Sequence, residues 1–66
     1  MVWSFARGAQ ILRYEVTREG AFGYYRMVIT YPDGSESVEQ IQDPSELTER
    51  TERLMNQLRA EGWERI

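Results

Sequence analysis

Apolar and polar residues alternate along two stretches of this chain, and the alternation predicts two β-strands. Every second residue is apolar over residues 10–18, and the same period returns over residues 22–31, where β-branched and aromatic residues are frequent. A period of two is typical of a half-buried strand. Residues 35–42 are more polar and predict a third strand. Glu36 and Glu39 suit a strand at the edge of the sheet, where charge discourages further pairing.

Two turns connect these predicted strands. Tyr31-Pro32-Asp33-Gly34 predicts a hairpin with a type I turn and a glycine bulge, because proline presets the first central φ and glycine accepts a positive φ. Residues 19–22 predict the other turn. A loop over these four residues would place Leu12 against Ile29 and Glu15 against Arg26.

The position of Val38 depends on the second hairpin. If Tyr31 pairs with Ser35, Val38 lies beside Val28 on the face that the helix leaves open. The other register turns Val38 inward. The sequence leaves both registers open.

A helix is predicted over residues 44–61. Asp43 is the N-cap, Pro44 takes the first helical position, and Gly62 ends the helix. One side of this helix carries an apolar stripe about 100° wide. The stripe consists of Leu47, Thr51, Leu54, Met55 and Leu58.

The two ends of the chain are less clearly patterned. Residues 1–8 form either a short strand with Trp3 and Phe5 on one face or an ordered tail on the core. These two aromatic side chains could dock in their own chain or in a neighbouring one. In the tail, residues 63–66, Trp63 is expected to fold back on the helix end, and the segment could pair as a short last strand.

These elements predict one α+β domain over residues 1–66. The expected architecture is a three-stranded antiparallel meander over residues 10–42, packed on one C-terminal helix in two layers, βββα, with the short last strand as an option. The expected core is listed here: Leu12, Tyr14, Val16, Tyr25, Met27, Ile29, Ile41, Leu47, Leu54, Leu58 and Trp63.

Composition argues against catalysis. The chain has no His and no Cys, and all 8 of its basic residues are arginines. An imidazole base, a thiolate, a lysine Schiff base and an ordinary zinc site are therefore excluded. The acidic residues early in the helix suit the helix dipole better than a metal site. We expect no enzyme activity, no catalytic or metal-binding residue and no cofactor.

The uncovered sheet face is the predicted interaction surface. Its members combine apolar side chains with an arginine rim, a mixture enriched at interfaces. They are Ile11, Arg13, Tyr24, Arg26, Val28 and Val38. Because so short a chain buries a small core, a partner would add stability. The expected function is a non-enzymatic module that self-associates through this face or an edge strand, as a homodimer or with an unidentified protein partner.

The alternative is single-stranded nucleic-acid binding through Tyr24, Arg13 and Arg26, since aromatic and arginine side chains stack on bases. Residues 1–31 carry a net charge of +2 and residues 32–66 a net charge of −5. That basic half is weak for phosphate binding, so nucleic acid is not the expected partner. No apolar run is long enough for a membrane span, and no signal peptide is visible. We expect a cytoplasmic protein.

The segment Leu58-Arg59-Ala60-Glu61-Gly62-Trp63-Glu64 resembles the tail of short bacterial domains of unknown function. In those domains a helix ending in Leu-x-x-x-Gly-Trp-Glu leads into a short last strand. The resemblance implies a compact α+β domain of a small bacterial protein, and it implies no catalytic residues.

Overall fold

A computed structural model describes residues 1–20 and 23–66, which form one sheet and one helix. The elements are β1 (Val2–Arg7), β2 (Gln10–Arg18), β3 (Tyr25–Thr30), β4 (Glu36–Ile41), α1 (Pro44–Ala60) and β5 (Glu64–Arg65). Neighbouring strands are antiparallel, in the order β4-β3-β2-β1-β5. The two-layer α+β class is compatible with this arrangement. The predicted three-stranded meander is wrong, because the sheet has five strands.

The first additional strand is β1, which comes from the ambiguous N-terminal segment. It pairs with β2 from Val2 opposite Glu15 to Arg7 opposite Gln10, so only Gly8 and Ala9 form the turn. Gly8 has a φ of 61°. A two-residue hairpin with a positive φ at its first central position needs glycine there. The single glycine was too weak a signal to separate a strand from an ordered tail.

The second additional strand is β5, which the sequence had left as an option. Gly62, with a φ of 89°, reverses the chain after α1. Its N–H donates to the Arg59 carbonyl at 3.1 Å, and the Trp63 N–H donates to the Leu58 carbonyl at 2.9 Å. This pair of hydrogen bonds is a Schellman motif. The chain then pairs with β1, where Phe5 lies opposite Arg65.

The core lies between α1 and the inner face of the sheet. Its buried residues are Phe5, Leu12, Tyr14, Val16, Met27, Ile29, Ile41, Leu47, Leu58 and Trp63. Tyr25 and Leu54 are only partly buried at its margin. The Trp3 ring stacks on the Tyr14 ring at a centroid distance of 5.0 Å. Trp3 and Phe5 therefore dock in their own chain.

The helix begins as the sequence predicts and ends at Ala60, one residue earlier than predicted. The Asp43 side chain accepts a hydrogen bond from the Ser45 N–H at 2.9 Å, and Pro44 is the first helical residue. Within the described residues, no helix is both long enough and apolar enough to cross a membrane.

The helix crosses the sheet obliquely from one edge to the other. It follows Ile41 of β4, which lies opposite Tyr25, and it precedes β5, where Glu64 lies opposite Ala6. These two points are at opposite ends of the strands and at opposite edges. Its 17 residues span about 25 Å, which exceeds the width of about 19 Å for five strands. An oblique helix leaves one corner of the inner face, beside the β3–β4 turn, partly uncovered.

The β3–β4 hairpin has the predicted turn. The Tyr31 N–H donates to the Ser35 carbonyl at 2.8 Å, and the Gly34 N–H donates to the Tyr31 carbonyl at 2.9 Å. Gly34 has a φ of 88°, as a glycine bulge requires. The register continues so that Val28 lies opposite Val38. Of the two registers left open, the structure has the one that keeps Val38 on the outer face.

The β2–β3 register differs from the predicted one by two residues. Arg18 lies opposite Tyr25 rather than Gly23, and the Glu19 N–H donates to the Tyr24 carbonyl at 3.0 Å. The loop is therefore longer than predicted; of the predicted turn, residues 21 and 22 lie outside the described part of the chain. An even shift keeps every side chain on its predicted face but moves each partner by about 7 Å along the strand.

Candidate functional site

The outer face of the sheet, opposite α1, holds five of the six residues of the predicted interaction surface. Strand alternation places Ile11 and Arg13 of β2, Arg26 and Val28 of β3, and Val38 of β4 on this face. Tyr24 precedes β3 and is half-buried, and its backbone carbonyl closes the β2–β3 hairpin. The residues share a face, but they do not form one patch.

Val28 and Val38 form the apolar centre of this surface. They lie directly opposite each other on neighbouring strands. Val38 is 49% exposed, although it is a β-branched residue in a regular strand. The same row of the sheet continues to Glu15 on β2 and Val2 on β1. The apolar pair is thus at one side of the face, beside the β4 edge.

Ile11 is separate from this pair, and the predicted patch of Ile11, Val28 and Val38 is wrong as a contiguous surface. Ile11 lies opposite Ala6, whereas Val28 lies opposite Glu15. Four residues of β2 therefore separate Ile11 from the row of Val28, which is about 13 Å along the strand. The two-residue change in the β2–β3 register is the cause.

The arginine rim is also arranged differently. Arg13 forms an ion pair with Glu15 on its own strand, with a distance of 3.1 Å between Nη2 and Oε2. Arg26 lies opposite Thr17, so the predicted cross-strand pair of Glu15 and Arg26 is wrong. Glu36 lies on the same outer face in β4. Positive and negative charges alternate over this face, and they do not form a concentrated basic footprint.

Among the described residues, no strand pairs with the outer edge of β4, so its backbone presents a free edge beside the valine pair. The Tyr31 N–H donates to the Ser35 carbonyl across the hairpin, which makes Tyr31 and Ser35 a hydrogen-bonded position of the ladder. Hydrogen-bonded and non-hydrogen-bonded pairs alternate along an antiparallel ladder. The odd-numbered residues of β4 therefore direct their backbone groups toward β3. Glu36, Val38 and Gln40 direct theirs away from the sheet, where another strand could pair with them.

The inner side of β4 is fixed to the helix. Both carboxylate oxygens of Glu39 accept hydrogen bonds from Arg50, at 2.7 Å from Nη2 and 3.2 Å from Nε to Oε2. These hydrogen bonds raise the pKa of the Arg50 guanidinium above its ordinary value. The bidentate contact holds the edge strand against α1, so the charge of Glu39 is already compensated within the chain.

A cleft that sequence reasoning missed occupies the uncovered corner of the inner face. Its volume is about 550 Å³, and its lining includes Ile29, Tyr31, Ser37, Glu39, Leu54 and Trp63. The cleft exists because α1 crosses the sheet obliquely. No local pattern in the sequence reports a crossing angle, so no signal could have found it.

The polar groups around this cleft serve the turn and the helix ends. The Ser35 hydroxyl donates to the Asp33 carboxylate at 2.6 Å, and the Ser35 N–H donates to the same oxygen at 2.9 Å. These hydrogen bonds lower the pKa of Asp33, which makes it a poor base for activating that serine. The Arg7 guanidinium lies 4.5 Å from the centre of the Trp63 ring, and it donates to the Glu61 carbonyl at 3.1 Å.

In the described ranges, no three His, Cys, Asp or Glu residues are grouped so that they could hold a metal ion. Comparison with family models, with curated proteins and with solved structures found no match to this chain.

Proposed function

We propose that the chain is a small non-enzymatic interaction module that self-associates at the β4 side of the outer face. The observation that carries this proposal is the Val28–Val38 pair beside an unpaired strand edge. An apolar pair of one exposed and one half-buried valine next to free backbone groups gives a second chain both apolar contact and hydrogen bonds.

The size of the chain supports a partner. A chain of 66 residues without cysteine has no disulfide to add to its core. Domains of this length bury a smaller share of their surface than larger ones, so burial against a second copy contributes a useful share of stability. In this proposal the module works in the cytoplasm, the location expected from the sequence.

The charge pattern favours a protein over a nucleic acid as the partner. Arg13 is compensated by Glu15, and Glu36 adds a negative charge to the same face. Phosphate binding needs arginine or lysine side chains whose charge is available to the backbone of the nucleic acid. Nucleic-acid binding through this face is therefore the weaker of the two proposals.

Sedimentation equilibrium across a wide dilution series tests this proposal with a charge-matched pair of variants. Val38→Glu places a carboxylate at the apolar centre, whereas Asn56→Glu adds the same charge to the exposed side of α1. Like charges and lost apolar contact should cost at least about 1.4 kcal/mol, so Val38→Glu should weaken the dimer about tenfold or more. Asn56→Glu should leave the dimer unchanged.

Either of two results would overturn the proposal. The unmodified chain could remain a folded monomer at every concentration. The Val38→Glu and Asn56→Glu variants could also sediment alike while both keep the helical circular dichroism of the parent.

A further inference from the structure

The proposed self-association leaves the geometry of the contact open, and the free edge of β4 defines it. We propose that two copies join β4 to β4 in an antiparallel pair centred on Val38, making one continuous ten-stranded sheet with both helices on the same face. This inference rests on the proposed self-association and adds the partner strand and its register.

Backbone direction restricts the possible registers. Only Glu36, Val38 and Gln40 direct their backbone groups outward, as the β3–β4 ladder requires. An antiparallel partner must align outward residues with outward residues. Sliding one strand by a single residue would set these outward groups against groups already bonded to β3. Only slides of two residues remain, and each of them moves the centre of the pair to the next residue of β4.

Acidic residues then select among these registers. Centring the pair on Glu36 or on Glu39 would set a carboxylate against its own copy, which is unfavourable. Centring it on Ser37 leaves Gln40 unpaired, and centring it on Gln40 leaves Glu36 unpaired. The Val38 centre pairs all three outward residues and makes about six hydrogen bonds between the chains.

The side chains fit this register on both faces. On the outer face, Val38 meets Val38 of the second copy, with each Val28 behind it, so four valines form one row. Glu36 faces Gln40 of the second copy, whose amide can donate to the carboxylate. On the inner face, Ser37 faces Glu39, whose charge Arg50 already compensates. Glu36 and Glu39 thus disfavour the two registers centred on themselves without opposing this one.

The free edge of β4 is longer than the edge strand at the other side of the sheet, and the contact is therefore assigned to β4. At that other side the described sheet ends in β5, which has only 2 residues. β4 has 6 residues and is regular throughout. A two-fold axis perpendicular to the sheet pairs the same edge of both copies and closes the contact, since each copy then has no second β4 to offer.

Cysteine cross-linking under mild oxidation tests the register directly, because the chain has no cysteine of its own. Directly opposite residues in an antiparallel pair are close enough for a disulfide, whereas residues displaced by four along the strand are about 13 Å apart. Val38→Cys should therefore cross-link to itself. Glu36→Cys and Gln40→Cys should each fail alone and cross-link when the two variants are mixed.

The result separates this inference from the proposed function. Ile11→Cys is the matched control, because Ile11 is equally exposed on the outer face but far from the proposed axis. Dimers in sedimentation without a Val38→Cys cross-link would overturn the register and leave self-association standing. A monomer in sedimentation would overturn both. A Val38→Cys cross-link no stronger than that of Ile11→Cys would also overturn the register, since it would reflect random collision.

Discussion

The contact between Tyr14 and Thr51 is the polar link at the centre of the sheet–helix interface. Tyr14 is fully buried, and its hydroxyl lies 2.7 Å from the Thr51 hydroxyl. Either atom could be the donor. The phenol is in the core and the threonine is half-buried on α1. Loss of either hydroxyl should therefore leave the other one without an equally good hydrogen-bond partner.

The magnitudes follow from what each substitution leaves behind. Tyr14→Phe removes one hydrogen bond and should cost about 1 kcal/mol. Thr51→Val keeps the shape of the side chain but leaves the buried phenol unpaired, which should cost about 1–3 kcal/mol. The double variant removes both polar groups together, so it should cost less than the sum, with a coupling free energy of about 1 kcal/mol.

The parent, the two single variants and the double variant form a double-mutant cycle. Urea unfolding, followed by circular dichroism at a fixed protein concentration, measures the free energy of unfolding of all four proteins. For a domain this small, about 1 kcal/mol corresponds to about 4–8 °C in Tm, so thermal unfolding gives an independent reading. Thr48→Val is the matched control. Its hydroxyl donates only to the Pro44 carbonyl, at 3.1 Å, on the exposed side of the same helix. The losses in free energy of unfolding caused by Tyr14→Phe and by Thr48→Val should therefore be additive. Additive losses for Tyr14→Phe and Thr51→Val would refute the reasoning, because uncoupled residues do not share a hydrogen bond.

Two further predictions concern pH and the turns. Burial raises the pKa of the Tyr14 phenol above its ordinary value of 10.0, so its contribution to stability should be complete below about pH 10 and lost as pH rises through the raised pKa. With no lysine in the chain, Tyr14→Phe should lose less stability than the parent between pH 9 and pH 11 in urea unfolding, and equal losses would contradict this assignment. Gly34→Ala should cost about 1–2 kcal/mol, because φ is 88° but the space is open. Gly23→Ala should cost more in the same assay, since an added Cβ would collide with the Glu19 carbonyl, and the opposite ranking would refute that expectation.

The features that the sequence predicted well depend on local signals. Two adjacent residues, Asp43 and Pro44, specify where the helix begins. Pro32-Asp33-Gly34 specifies the β3–β4 turn. The same turn left two registers open for β4, and the structure has the one that places Val38 opposite Val28. The turn itself was therefore predictable from the sequence, whereas the face on which Val38 lies was not decided by it.

The features that were missed depend on information that local patterns do not contain. A strand pattern of period two is satisfied equally by any even shift, so the position of Ile11 relative to Val28 could not be read from alternation. The strand β5 is two residues long and pairs across most of the chain. The Glu39–Arg50 contact and the cleft both depend on where the helix crosses the sheet, which only the assembled fold defines.

The pairing of β5 with β1 has a consequence for the order of folding. The strands β1 to β4 are joined by hairpins, which form within microseconds because their contacts are local. The contact from Arg7 to Glu61 closes 54 residues, so it must wait until α1 has crossed the sheet. Before that step β1 is the outermost strand, with its backbone open to any neighbouring chain. The last and smallest strand thus determines how long a newly made chain exposes a second edge to aggregation.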